Sequence, residues 1–594
     1  MSLSGIQGKI AVLVVLGLLS ACAKKYYPEI TSQDIRETVN YLASDELGGR
    51  KPGEKGDSLA AEFIRGKFMN AGLKMLYSNG FQPFSLIASV SLGANNQASF
   101  NGENYVVGKD FLPYSFSQNG SFTGGIVFAG YGFDIQKDSL QWNDYAGVDV
   151  AGKWVLLLKG DPEIDKMESV FEEYANERIK VLTATDHRAA GVVLAGGPHY
   201  SEKDQLEGLF YDKNSSTYTI PVIQVTREVV DRWLSSAGTS VAKLEEQLNL
   251  QRKPASFALS GELQARVEVV QQQVQTNNVV ALLPGIDKKL KNEYVVVGAH
   301  FDHLGMGGPG SGSRIPDTVA VHNGADDNAS GVAAVIELAE KAASLRQNKR
   351  GIIFAAFGAE EMGLVGSKAF VEQSPVKTDQ LKAMFNFDMI GRLDDSSNIL
   401  TISGTQTSKE AETILTKNNP GFELALSGDG YGPSDHASFY MQNIPVFFVS
   451  TGAHGDYHTP ADDADRINYE GARKVTEYAW SLLQEVASRD SSLTYQEAGA
   501  KIKRGRGGRF KVTLGIMPDY AGLEKRGMRI DAVTKGKPAE KAGMQKGDII
   551  TAIDGKKVGN IYDYMNRLQA LEAGKTISVD IIRDGKEMVL IVQL

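Results

Sequence analysis

The feature that most constrains this chain is a rhythm that begins at Asn277. Short, continuously apolar runs at 279–283, 294–299, 351–357 and 384–387 are separated by stretches of helical spacing such as 332–343. Runs that are apolar at every position belong to strands covered on both faces. Such strands alternating with helices make an α/β fold, with a mostly parallel or mixed sheet flanked by helices. In that architecture the residues that do chemistry stand just beyond the strand ends.

Those ends carry an unusual set of side chains. Six of the eight histidines, at 300, 303, 322, 436, 454 and 458, fall in this region, with acidic clusters among them. His300 and Asp302 follow the run 294–299. A carboxylate that holds the second ring nitrogen of an imidazole fixes its tautomer and strengthens it as a metal ligand. Gly324-Ala-Asp-Asp-Asn-Ala-Ser-Gly331 leads into the helical pattern 332–343; its Asp, Asn and Ser oxygens suit a helix cap, and a turn that rigid can also aim a carboxylate at a metal. Gly358-Ala-Glu-Glu-Met-Gly363 follows 351–357. Its paired carboxylates either complement a helix N-terminus or divide labour, one ligating a metal and the other handling a proton. Asp388 follows another apolar run, and His458 stands in Tyr457-His-Thr-Pro-Ala-Asp-Asp463 just after 446–449. Taken singly, each has a structural reading as a satisfied histidine, a cap or a solvated charge. Their clustering is the signal.

Outside this region the chain changes character more than once. Lys9 and the apolar run 10–19 have the form of a secretory signal, too short for a comfortable membrane span. Cys22, the sole cysteine, closes Leu19-Ser-Ala-Cys22. This is similar to a bacterial lipobox, in which the cysteine receives lipid; the alternative is an ordinary signal with a chance cysteine. Residues 31–73 read as two helices broken by Gly48 and Gly49, and 110–260 contain short β-rich runs at 125–130, 154–159, 191–195 and 220–225. A basic, glycine-interrupted run at 501–511 reads as a solvated connector to one last small β-rich unit. With 42% hydrophobic and 23% charged residues the chain is an ordinary globular one, and its net charge of −9 argues against a nucleic-acid partner.

The ordered series His300-Phe-Asp302, Gly324 to Gly331, Glu360-Glu361, Asp388 and Tyr457-His-Thr-Pro460 resembles the M28 family of zinc aminopeptidases and carboxypeptidases. Leu42-Ala-Ser-Asp-Glu-Leu47 is similar to that family's N-terminal region. The resemblance implies two zinc ions per chain: His300 and Asp388 on one, Glu361 and His458 on the other, and Asp327 as the bridge. It also implies Asp302 as the residue orienting His300, Glu360 as general base, and Tyr431, in Gly430-Tyr-Gly-Pro-Ser-Asp435, as the donor to the developing oxyanion. His303, His322, His436 and His454 are left to support the ligands or the fold. Tyr131-Gly-Phe133, Asp144-Tyr-Ala-Gly147 and Ile220-Pro-Val-Ile223 resemble a protease-associated domain, which would sit over the active site or bind partners. Thr513-Leu-Gly-Ile516, Pro538-Ala-Glu-Lys-Ala-Gly543 and Gly547-Asp-Ile-Ile550 resemble a PDZ domain, whose sheet edge takes a peptide as an added strand. The expected organisation is a lipoprotein signal at 1–21, a peptidase domain at 23–110 and 265–490 interrupted by the protease-associated insertion at 111–264, a linker at 491–510 and a PDZ domain at 511–594. The expected activity is that of an exopeptidase of the aminopeptidase type, acting on peptides or proteins and lipid-anchored at the outer membrane. The alternatives are a glutaminyl cyclase with one zinc and a non-catalytic peptide receptor.

Overall fold

A computed structural model of the chain describes residues 29–498 and 512–594, apart from 138, 165, 167–168, 212–217, 519–523, 525, 534–535, 560–562, 565–566 and 569–570. The signal segment 1–21, the expected lipid site Cys22 and the basic connector 501–511 lie outside the described residues.

The apolar runs form the middle of a nine-stranded mixed sheet. Strands Tyr294–His300, Gly351–Phe357, Leu381–Phe387 and Val446–Ser450 run parallel there. Every residue of Gly351–Phe357 is buried, because helices cover both faces. Ser32–Leu42, Lys55–Asn70, Gly331–Leu345 and Tyr469–Ser488 pack on one side, and Val365–Glu372 and His436–Tyr440 on the other. Helix Gly331–Leu345 is buried on nearly all sides, as a helix apolar all round must be. The first helix starts where Thr31 Oγ1 accepts a hydrogen bond from the Asp34 N–H at 3.0 Å.

The strand expected at 279–283 is longer, Val269–Leu283. Its end pairs with Gly351–Phe357 inside the sheet, while the rest forms a ribbon with Phe81–Leu92. The ribbon half, Gln271-Gln-Gln-Val-Gln-Thr276, is polar and partly exposed, so no apolar run announces it. This ribbon carries the inserted body, an eight-stranded sheet whose strands lie between Gln97 and Val267. That sheet reaches past both ends of the expected 111–264. Its first strands, Gln97–Phe100 and Glu103–Tyr105, are short and owe their place to pairing that leads to distant Phe257–Val267. Its parallel strands include Trp154–Leu158, Gly191–Ala195 and Val222–Val225, all buried.

The C-terminal body is a six-stranded sheet with its own apolar cluster. It docks on the inserted body where both Arg567 Nη atoms donate to Asp186 at 2.6 and 2.7 Å. Among the described residues no helix is long and apolar enough to cross a membrane.

Candidate metal centre

Parallel strands end on the same side, and here that side gathers the donors. His300 is the last residue of Tyr294–His300, Asp388 follows Leu381–Phe387 directly, and Glu360 and Glu361 stand just past Gly351–Phe357. Asp327 arrives from the turn Ala325–Ser330 at the head of helix Gly331–Leu345. Gly324 makes that turn possible. Its φ is +54°, and a Cβ there would lie 2.1 Å from the Asp327 carbonyl oxygen. His458 sits in a loop with its own φ at 55°, a conformation costing a non-glycine residue about 1–3 kcal/mol and common at functional sites.

Two groups of donors share Asp327. His300 Nε2 is 3.2 Å from Asp327 Oδ1 and 3.4 Å from Asp388 Oδ1. On the other side, His458 Nε2 lies 3.1 Å from both Asp327 Oδ2 and Glu361 Oε1. His303 Nδ1 joins the second group, 3.1 Å from Glu361 Oε1 and 3.8 Å from Asp327 Oδ2. Donors set tetrahedrally about an ion at ~2.0–2.1 Å stand about 3.3 Å apart, so both groups have the spacing of ligand sets. Glu361 Oε1, Asp388 Oδ1 and both His303 ring nitrogens are buried without a hydrogen bond. Buried polar atoms that approach one another without bonding fit divalent cations between them.

Further residues hold this cluster in place. Asp302 stands beside His300, and its carboxylate also accepts the Glu360 and Glu361 N–H groups at 2.9 and 3.2 Å. It thereby fixes the paired glutamates. His300 Nδ1 meets the Asp302 main-chain carbonyl at 3.2 Å, with the carboxylate farther out at 3.7 Å. Asp462 Oδ2 accepts the N–H groups of Asp326 and Asp327, both at 3.0 Å, and Ser434 Oγ donates to Asp388 Oδ2 at 2.7 Å. Beneath lies Arg50, fully buried, donating to the carbonyls of Phe301, Asn323 and Gly324 at 2.7, 2.6 and 2.9 Å and also to that of Leu42. Burial lowers its guanidinium to about 10 despite the carboxylates nearby. The early Leu42 to Arg50 segment is thus the strap under the metal loops.

The electrostatics separate the carboxylates. Burial pushes Asp327 up, but the imidazoles of His300 and His458 override it and hold Asp327 well below the usual range. Burial drives Glu360 the other way, well above that range, with Glu361, Asp435 and Asp388 adding to the rise against His300. Glu360 is the carboxylate of this cluster that most readily takes a proton.

Among the tyrosines, the structure brings Tyr457 to the carboxylates. Its ring stacks on His458 at 3.8 Å, and burial followed by Asp327, Glu361, Asp388 and Glu360 raises its phenol. Tyr431 is 48% exposed with its ring edge-on to Tyr440 at 4.7 Å. Gly430 lies so close to the Tyr440 ring that a Cβ would stand 2.5 Å away, which sets Tyr431 against that ring. The sequence signal for Tyr457 is its place beside His458. Three of the four histidines left as supports serve as such: His322 bonds Ser313 and Ala320 at 2.9 Å each, His436 stacks on Phe448 and His454 approaches Asp326 at 3.3 Å. His303 does not.

A cavity of about 200 Å³ opens from His303 and Glu361, walled by Leu304, Met362, Val90 and, from the inserted body, Phe210.

Residues 278–483 match peptidase family M28, and residues 510–594 match the PDZ domain. A probable leucine aminopeptidase of Arthroderma otae is 28% identical over 241 residues, covering 38% of this chain and 61% of that protein. The chain thus spans somewhat under two thirds of the length of such curated relatives. An aminopeptidase of Pseudomonas aeruginosa is 26% identical over 435 residues, 70% of this chain and 69% of the relative. Among solved structures, the aminopeptidase from Aneurinibacillus sp. strain AM-1 is similar with a TM-score of 0.49 and 21% identity, over 79% of this chain and 97% of its own.

Proposed function

We propose that this chain, which carries an M28 peptidase domain at residues 278–483 and a PDZ domain at 510–594, is a two-zinc aminopeptidase that releases residues from the amino end of peptides. The observation that carries this reading is the sharing of Asp327 between two donor groups. Mixed imidazole and carboxylate donors suit zinc. When bound, a pair of such ions lowers the pKa of water and polarises the scissile carbonyl.

The chain's own residues supply the rest. The Glu360 carboxylate, in the loop just past strand Gly351–Phe357, accepts a proton from the attacking water and returns it to the leaving amine. Asp302 holds Glu360 and Glu361 by their main-chain N–H groups, so the two carboxylates keep fixed and different directions. The Tyr457 phenol, kept protonated by burial and the carboxylates, is a donor for developing negative charge. The carboxylate-rich lining attracts a free α-ammonium, and the cavity beside it has room for one side chain. The aminopeptidases among the relatives support the same polarity. Peptide binding at the PDZ sheet edge and a lipid anchor to the outer membrane, which the lipobox-like Leu19 to Cys22 supports, belong to the same reading.

The test compares two substitutions on a chromogenic aminoacyl substrate. Glu360→Gln should slow kcat by about 10²-fold to 10⁴-fold and leave zinc content unchanged. Glu361→Gln should lose zinc and recover part of its activity when zinc is added in excess. A Glu360→Gln variant with near-normal kcat would remove the proposed base.

A further inference from the structure

Resting on the two-ion reading above, we infer that His303 is a direct ligand of the ion on the Glu361 side, which makes that position a filled, four-donor site and leaves the His300 side as the open one. The ring of His303 is buried, and neither nitrogen makes a hydrogen bond. His436 and His454 also lack hydrogen bonds at both ring nitrogens, so what sets His303 apart is its place against the carboxylates of the Glu361 group. Its Nδ1 is as close to Glu361 Oε1, 3.1 Å, as His458 Nε2 is. The two imidazoles approach from different directions, their rings 5.7 Å apart and inclined by 72°. With Asp327 Oδ2 this gives two nitrogens and two oxygens, whose four nitrogen–oxygen spacings are 3.1 to 3.8 Å, near the roughly 3.3 Å of a tetrahedral set. Gly324 secures the ring, since a Cβ there would stand 2.6 Å from His303 Cγ and Cδ2.

Among the described residues the His300 side has His300, Asp327 and Asp388 alone. Four protein donors are the mark of a structural zinc position, and three with a gap that of a catalytic one. The Glu361-side ion therefore serves chiefly to fix Asp327 and Glu361. The His300-side ion is the one with a position free for water and substrate, and it exchanges faster.

X-ray absorption on the zinc-loaded full chain counts imidazoles without any substitution. Three imidazoles shared by two zinc ions are expected; two would overturn the assignment. Chelator competition adds affinities. The wild-type chain should show a tight and a weaker zinc, and His303→Ala should weaken the tight one by more than the ~10–100-fold that loss of an outer partner costs. His303→Ala that binds both ions with wild-type affinity would also overturn it. A wild-type chain that takes up fewer than two zinc ions would instead sink the two-ion reading itself, a separate and recognisable failure.

Discussion

The peptidase body and the inserted body are built on the same device, parallel apolar strands with helices against them, yet only one collects reactive groups. In the peptidase body the strands end in His300, Asp388 and the loop of Glu360 and Glu361. In the inserted body Trp154–Leu158 runs into Lys159-Gly-Asp161, Gly191–Ala195 into two glycines and Val222–Val225 into Thr226. Among the buried charged residues there is Lys180, whose Nζ donates to the Leu158 and Gly160 carbonyls at 2.7 and 2.6 Å. Among the described residues both donor groups that could hold a metal belong to the peptidase body. Parallel strands supply a place, and a few residues past their ends decide whether it becomes a site.

The strongest way to break the contrast is Asp327→Asn. Losing the shared carboxylate should strip zinc from both positions and lower kcat/KM by about 10³-fold or more, a loss in line with removing a site's whole electrostatic machinery. Full zinc content in this variant would mean that the two groups are independent.

Lys180→Met tests the other body. Two carbonyls would lose their donor, lowering stability by about 1–3 kcal/mol, while zinc content and kcat should stay at wild-type values. Burial lowers the Lys180 ammonium from 10.5 to about 7. Between those values the unfolded chain holds more protons, so this group makes stability rise with pH from about 7 to 10.5. Thermal melts across that window should rise less steeply in Lys180→Met than in wild type; equal slopes would remove Lys180 from the pH response.

Glu337, on helix Gly331–Leu345, gives an effect of opposite sign. Burial raises its carboxyl from 4.5 to about 8. Here the folded chain holds the extra proton, so stability falls as pH rises from about 4.5 to 8. Glu337→Gln should flatten that fall, by on the order of 1 kcal/mol per pH unit at most, in melts that leave the Lys180 window unchanged. A fall as steep as in wild type would show that Glu337 does not titrate there.

How legible all this was in the sequence depends on whether burial leaves a local trace. The central strands were readable because burial on both faces demands continuous apolar runs, as in Gly351–Phe357. The ribbon half of Val269–Leu283 left no such trace, since its partner Phe81–Leu92 covers hydrogen bonds and little apolar surface. Within the site, motif order pointed to His300, Asp327, Glu361, Asp388 and His458, and the structure brings all five together. Three assignments needed geometry. Tyr457 and Tyr431 are both tyrosines in polar loops, and only packing against His458 or Tyr440 tells them apart. Asp302 stands beside His300 as its place in the sequence suggests, but that its oxygens also hold the main chain of the glutamates shows only in the structure. His303, next to Asp302, read as a support, and its unbonded nitrogens appear only in three dimensions.

That Asp327 bridges two ions is tested most directly by anomalous diffraction at the zinc edge from crystals of the full chain. The predicted result is two peaks roughly 3.5–4 Å apart. One should lie among His300, Asp388 and Asp327 Oδ1, the other among His303, His458, Glu361 and Asp327 Oδ2. A single peak, or two peaks that do not share Asp327, would contradict it.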